Sequence, residues 1–178
     1  MTEWFDIYSL TNPDSRPELQ LPGLRASVNY ILSLLDEEIE RVGADSTKVL
    51  LGGISQGMAT ASWVLFAEGR ELGGFVGASG WVPMAGEMEG GEGKEVVREK
   101  LGMGREGRGV EGLKVWLGHG RDDAYVDVEE GRRASGVFER AGAVVTVREY
   151  EGADEEGHWL KEPEEVDDIV EFLRGVVG

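Results

Sequence analysis

Apolar residues along this chain recur with two periods, and the changes between them lay out the secondary structure. From Gly23 to Val42 the apolar positions are Leu24, Val28, Ile31, Leu32, Leu35, Ile39 and Val42. Gaps of three and four put them on one face of an amphipathic helix. Asp36, Glu37, Glu38, Glu40 and Arg41 fall on the other face, which reads as solvated surface. Gly43 is placed to end this helix in a left-handed cap. Lys48–Ile54 is then an apolar run of strand length, and Met58–Phe66 is long and smooth enough to be a buried helix. Gly73 and Gly74 open a second apolar run, Phe75–Val82, which predicts a strand packed closely on both faces and stopped at Pro83. Leu113–Leu117 is a third strand, leading into Gly118-His119-Gly120-Arg121-Asp122-Asp123. A helix is expected over residues 127–141, with Val128, Val137 and Phe138 inward and Gly142 closing it. Ala143–Tyr150 alternates as a fourth strand. A last helix begins near Pro163, a favoured first helical position, with Val166, Ile169, Val170 and Leu173 as its apolar face.

Two stretches lack a clear period. Residues 1–22 carry a short apolar cluster, Trp4, Phe5, Ile7 and Tyr8, followed by Pro13, Pro17 and Pro22, and read as loop. Residues 85–112 are rich in Gly, Glu, Lys and Arg, and read as a flexible insertion with a short helix near residues 95–101. The remaining strands alternate with helices, which argues for a three-layer α/β fold with a mostly parallel sheet. One domain over residues 1–178 is expected from the length. Chemistry in such sheets gathers at the carboxyl ends of the strands.

The first of those ends carries the strongest candidate. Gly53-Ile54-Ser55-Gln56-Gly57 lies between the apolar strand and the buried helix. Strand, sharp turn and helix form the context a nucleophile elbow requires, with small residues flanking a strained serine. The motif alone is weak, because a chain with 28 glycines can place a serine between two of them merely to cap a helix. Asp123 and His158 also fall just after predicted strands, so Ser55, the acid and the histidine should open on one sheet edge. Their chain order, serine then acid then histidine, is that of α/β hydrolases. Ser55 needs a base within hydrogen-bond reach. Of the two histidines, His158 sits in a loop where its ring could lean over Ser55, while His119 reads as structural, positioning the acid turn. Asp122, Asp123 and Asp127 compete for the acid role, with spacing placing Asp123 first and Asp122 second. The backbone N–H of Gln56, directly after the serine, is the expected oxyanion donor.

Charge and composition narrow the partners. A net charge of −17 argues against nucleic acid and against electrostatic docking on anionic lipid. With no cysteine, disulfide and thiolate chemistry are excluded. No run approaches the roughly 18 apolar residues of a transmembrane helix, so no stable membrane insertion is expected. The start of the sequence has no basic flank leading into an apolar core, which predicts no signal peptide and a cytoplasmic or nuclear location.

The chain resembles the acyl-protein thioesterase/carboxylesterase family of α/β hydrolases, also described as phospholipase/carboxylesterase, over nearly its whole length. Trp4-Phe5-Asp6-Ile7 resembles a Trp-Phe-Asp segment of that family, and Gly52-Gly53-Ile54-Ser55-Gln56-Gly57 resembles its elbow. Ser79-Gly80-Trp81-Val82-Pro83 resembles its Ser-x-Trp-Leu-Pro strand end. His119-Gly120-x-x-Asp123-x-x-Val126 resembles its acid turn, and Gly157-His158 its base. The resemblance implies Ser55, Asp123 and His158 as a triad, Gln56 as an oxyanion donor, and Trp81 and Met84 as borders of an acyl groove. It implies hydrolysis of acyl thioesters or esters without a cofactor. The substrates would be acylated proteins, lysophospholipids or small esters.

Family members usually have further strands before the Trp-Phe-Asp segment, one ending in a Leu-His-Gly-Leu-Gly-type loop that donates to the oxyanion. This chain resembles a form lacking those strands. An elbow strand without its usual neighbour would pair with a second copy, giving a homodimer, or lower the stability. The alternative function is that of a catalytically weak or inactive hydrolase-fold protein that acts by binding.

Overall fold

A computed structural model describes residues 3–104 and 107–177. Its helices are α1 (Pro17–Arg41), α2 (Gln56–Ala67), α3 (Gly93–Leu101), α4 (Val128–Arg140) and α5 (Glu164–Val177), and its strands are β1 (Leu50–Ile54), β2 (Gly74–Ala78), β3 (Lys114–Gly120) and β4 (Val144–Tyr150). The strands form a parallel sheet in the order β1-β2-β3-β4.

Register explains the layers. Leu51, Phe75, Val115 and Val145 lie side by side across the sheet and therefore point to one face. Phe75 there meets Phe138 of α4, which stacks on Phe66 of α2 at a centroid distance of 5.5 Å. Helices α2 and α4 thus cover this face, and α1 packs against α2. On the other face Gly74 lies against Val176 and Gly118 against Glu165, so α5 forms the third layer. Helix α2 is buried from Met58 to Ala67, as its unbroken apolar run requires.

The amphipathic helix read from Gly23 onward starts earlier. Pro17 occupies the first turn, where a missing N–H costs nothing, and the helix continues through Pro22. Pro22 forfeits one bond to the carbonyl of Glu18, but both residues are exposed near the helix end, where water can satisfy that carbonyl. Burial of Gln20, Leu24 and Val28 holds the extra turns. At the other end Gly43 adopts φ +82°, and the N–H groups of Gly43 and Ala44 bond back to Glu40 and Ile39, a Schellman closure.

Residues 85–112 are better anchored than their composition suggests. A 3-10 turn covers Ala85–Met88, and α3 begins at Gly93. Met88, Val97 and Val110 enter the core, and the Arg98 guanidinium donates to the carbonyls of Ala67 and Gly104. That ties this stretch to the carboxyl end of α2. Strand β2 stops at Ala78, short of Val82, and Ser79 turns out of the sheet at φ +46°. The apolar face assigned to the last helix is only half-buried, with Val170 exposed, while Glu165 of the same helix is 2% exposed.

Candidate active site

Ser55 lies between β1 and α2 at φ +55°, ψ −126°, a region that non-glycine residues occupy only under constraint. Its N–H donates to Ala78 O at 2.9 Å, so β2 holds the turn in place. A Cβ on Gly53 would lie 2.5 Å from the Gly57 carbonyl carbon, so strand and helix can approach this closely only over a glycine. The motif implies the same need for a small residue at Gly57, yet a Cβ there would meet only Trp4 Nε1 at 3.9 Å. The Ser55 side chain makes no capping hydrogen bond to α2, so its hydroxyl is not spent as a helix cap.

His158 brings the two other candidates together. Its Nε2 is 2.8 Å from Ser55 Oγ, and its Nδ1 is 2.8 Å from Asp123 Oδ2. A carboxylate facing Nδ1 fixes the hydrogen there and leaves Nε2 as the acceptor for the serine hydroxyl. The Asp123 side chain is fully buried. Its other oxygen accepts the N–H groups of Tyr125 and Val126, each at 2.9 Å. Burial disfavours the Asp123 charge, but the bonds from His119, His158, Val126 and Tyr125 outweigh it and hold the carboxyl well below the usual range.

His119 has a different place. It is buried on β3, and its Nε2 faces Val126 O at 2.9 Å and Asp123 Oδ2 at 3.3 Å. Two acceptors around one nitrogen require that nitrogen to carry the hydrogen. His119 therefore braces the acid turn and makes no contact with Ser55. The rival acids are also engaged elsewhere. Asp122 accepts the Gly152 N–H, and Asp127 caps α4 through the Glu129 N–H.

Gln56 is the first residue of α2, where a backbone N–H has no partner within the helix. Its side chain is tied on both ends, with Oε1 accepting the Trp4 N–H at 2.9 Å and Nε2 donating to Phe5 O at 2.6 Å. Trp81 is buried, packs edge-on against Phe5, and lines a cavity of about 510 Å³ with Glu3, Ile7, Tyr8, Ser9, Leu10, Ser55 and Gln56. Met84 does not reach this cavity and sits in the core. A second cavity of about 630 Å³ is lined by Leu10, Ser55, Tyr125, Val126, Asp154, Glu155, His158 and Trp159. Tyr125, Trp159 and the two acids were not singled out from the sequence. Their signal was adjacency, since Tyr125 lies two residues past Asp123 and Trp159 directly follows His158.

A serine on a strand-to-helix elbow at the carboxyl edge of a parallel three-layer sheet places the molecule among the α/β hydrolases. The chain belongs to the phospholipase/carboxylesterase family of hydrolases, whose model matches residues 1–177. Among relatives, it is 26% identical to acyl-protein thioesterase 1 of Candida albicans over 99% of this chain and 70% of that protein. It is 29% identical to the enzyme of the same name from Gibberella zeae over 98% of this chain and 68% of that one. Among solved structures, Zea mays acyl-protein thioesterase 2 superposes with a TM-score of 0.71 at 25% identity, covering 99% of this chain and 73% of the maize protein. Arabidopsis thaliana SOBER1 superposes with a TM-score of 0.79 at 22% identity, covering 100% and 75% of the two chains. Among the described residues, no helix is long and apolar enough to cross a membrane.

Proposed function

We propose that this chain cleaves acyl thioesters and carboxylic esters through a Ser55–His158–Asp123 relay and an acyl-enzyme. The observation that carries this reading is the unbroken line from Asp123 through His158 to Ser55, with both links at 2.8 Å. Ser55 Oγ attacks the acyl carbonyl as its proton passes to His158 Nε2. The carbon–sulfur or carbon–oxygen bond then breaks, and Nε2 returns that proton to the leaving thiolate or alkoxide. Water attacks the acyl-enzyme, His158 takes its proton, and Ser55 Oγ is released as the hydroxyl. Asp123 stays ionised throughout and stabilises the imidazolium. The Gln56 N–H at the start of α2 faces the developing oxyanion, where one such donor is worth on the order of 10²–10³ in turnover. The cavity walled by Ile7, Tyr8, Leu10 and Trp81 suits an acyl chain. The names of the relatives favour an acylated protein as substrate, with lysophospholipids and small esters as the other candidates of the same chemistry.

The test is labelling by a fluorophosphonate probe, alongside hydrolysis of a chromogenic short-chain ester. Labelling and turnover are expected in the parent and absent in Ser55→Ala. Folded protein that resists the probe would leave a hydrolase fold that acts by binding alone.

A homodimer through the open sheet edge belongs to the same proposal. Among the described residues, strand β1 pairs only with β2, and Leu50–Ile54 carries no charge, whereas the opposite edge β4 carries Arg148 and Glu149. Uncharged strand edges favour pairing with another strand, and charged ones oppose it.

A further inference from the structure

Two cavities meet at Ser55 and share only Ser55 and Leu10 among their lining residues. One is lined by Gln56 and Trp81, the other by His158. In the relay proposed above, the proton on His158 Nε2 goes to the departing atom, so the leaving group must lie on the imidazole side. The oxyanion faces Gln56 on the other side. The cavity of about 630 Å³ is therefore the leaving-group side, and its chemistry is distinctive. Its charged lining residues outside the relay are Asp154 and Glu155, both carboxylates, and no lysine or arginine lines it. Among the described residues, neither carboxylate takes part in an ion pair. The nearby Lys161 ammonium is turned to Gly152 O at 2.8 Å. Facing these acids are two large aromatic side chains left uncovered, Tyr125 at 44% and Trp159 at 46% exposure. Tyr125 also lies against the His158 ring at a centroid distance of 5.3 Å, within a few bonds of the reacting centre.

Aromatic faces attract cations, weakly hydrated alkylammonium groups most readily, and unpaired carboxylates add to the pull while repelling anions. We infer that this cavity is a subsite for a positively charged leaving group. The preferred substrates are then acyl esters or thioesters whose alcohol or thiol carries an alkylammonium a few bonds from the scissile atom. This rests on the relay reading, because the relay decides which cavity takes which half of the substrate.

The experiment compares two thioesters of one acyl chain, a thiocholine ester and its neutral isostere, in which a tert-butyl group replaces trimethylammonium. With each value divided by the ester's own rate with hydroxide, which removes the better leaving ability of thiocholine, thiol release is expected to favour the cationic ester by about ten-fold in kcat/KM. The ratio should fall toward one in Asp154→Asn/Glu155→Gln and at high ionic strength, where the carboxylates are removed or screened. Binding of choline and of its tert-butyl analogue, followed by ligand NMR, reads the same preference without turnover, and choline should bind more tightly to the parent alone. Hydrolysis of neither thioester would overturn the relay reading. Equal kcat/KM for both, a ratio unmoved by the double substitution, or equal binding of choline and its isostere would overturn the subsite.

Discussion

Ser55 is held in a conformation that costs about 1–3 kcal/mol, and its neighbours must supply that energy. The two glycines of its motif do this unequally. Gly53 is a contact glycine, since a methyl group there would lie 2.5–2.6 Å from the Gly57 carbonyl and the Met58 nitrogen. None of those backbone atoms can yield without unwinding the start of α2. Gly57 has open space at its Cβ and sits in the first turn of that helix. Gly53→Ala should therefore destabilise the protein by about 2 kcal/mol or more, with loss of esterase activity. Gly57→Ala should leave the stability unchanged or raise it by up to about 1 kcal/mol. Thermal unfolding of the two variants side by side decides this, and equal losses would show that the elbow is tight on both flanks.

Two carboxylates on neighbouring strands and helices titrate in opposite directions. Glu149 of β4 takes a two-pronged bond from Arg132 of α4 and a third from Arg121, which pull its pKa down to about 2. Its folded pKa is below the unfolded one, so the stability it contributes is present above the ordinary carboxyl value of 4.5 and lost as pH falls toward about 2. Glu165 of α5 is buried against Gly118, with one oxygen accepting the Lys161 N–H and the other without a partner among the described residues. Burial pushes its carboxyl up, so it stays protonated in the fold at a pH where the unfolded chain has ionised. That costs stability increasingly as pH rises above the ordinary carboxyl value of 4.5. Glu149→Gln should lower the stability at neutral pH by about 1 kcal/mol or less, with the difference vanishing in acid. Glu165→Gln should raise it at neutral pH and leave it unchanged near the acid limit. Melting curves from pH 3 to pH 8 would show the two differences, of opposite sign, both growing with pH. A fall in stability for Glu165→Gln at neutral pH would mean that the buried carboxyl is ionised.

The sheet as a unit has two unlike edges. Strand β4 is charged, while the outer edge of β1 offers backbone groups with no charged side chain among Leu50–Ile54 to deter pairing. Light scattering on a size-exclusion column should therefore show a concentration-dependent dimer. A single monomer peak across a wide range of loading would count against pairing through β1.

Much of this arrangement was legible in the chain itself. Periods of two and three-to-four residues are local, so β1, α2, β3, α4 and β4 could be placed within a few residues. The elbow glycines, the acid turn before Val126 and the Gly157-His158 pair are short-range patterns, and they marked Ser55, Asp123 and His158, which are joined through the His158 ring. What the sequence could not decide depended on distant partners. Pro22 stays helical because Leu24 and Val28 are buried. Residues 85–112 are pinned because Met88, Val97 and Val110 find places in the core. Glu165 is buried against Gly118 of β3, and Tyr125 and Trp159 wall a cavity with Asp154 and Glu155. Local pattern reflects the backbone's own periodicity, whereas burial and cavity shape belong to pairs of residues that only the folded chain brings together.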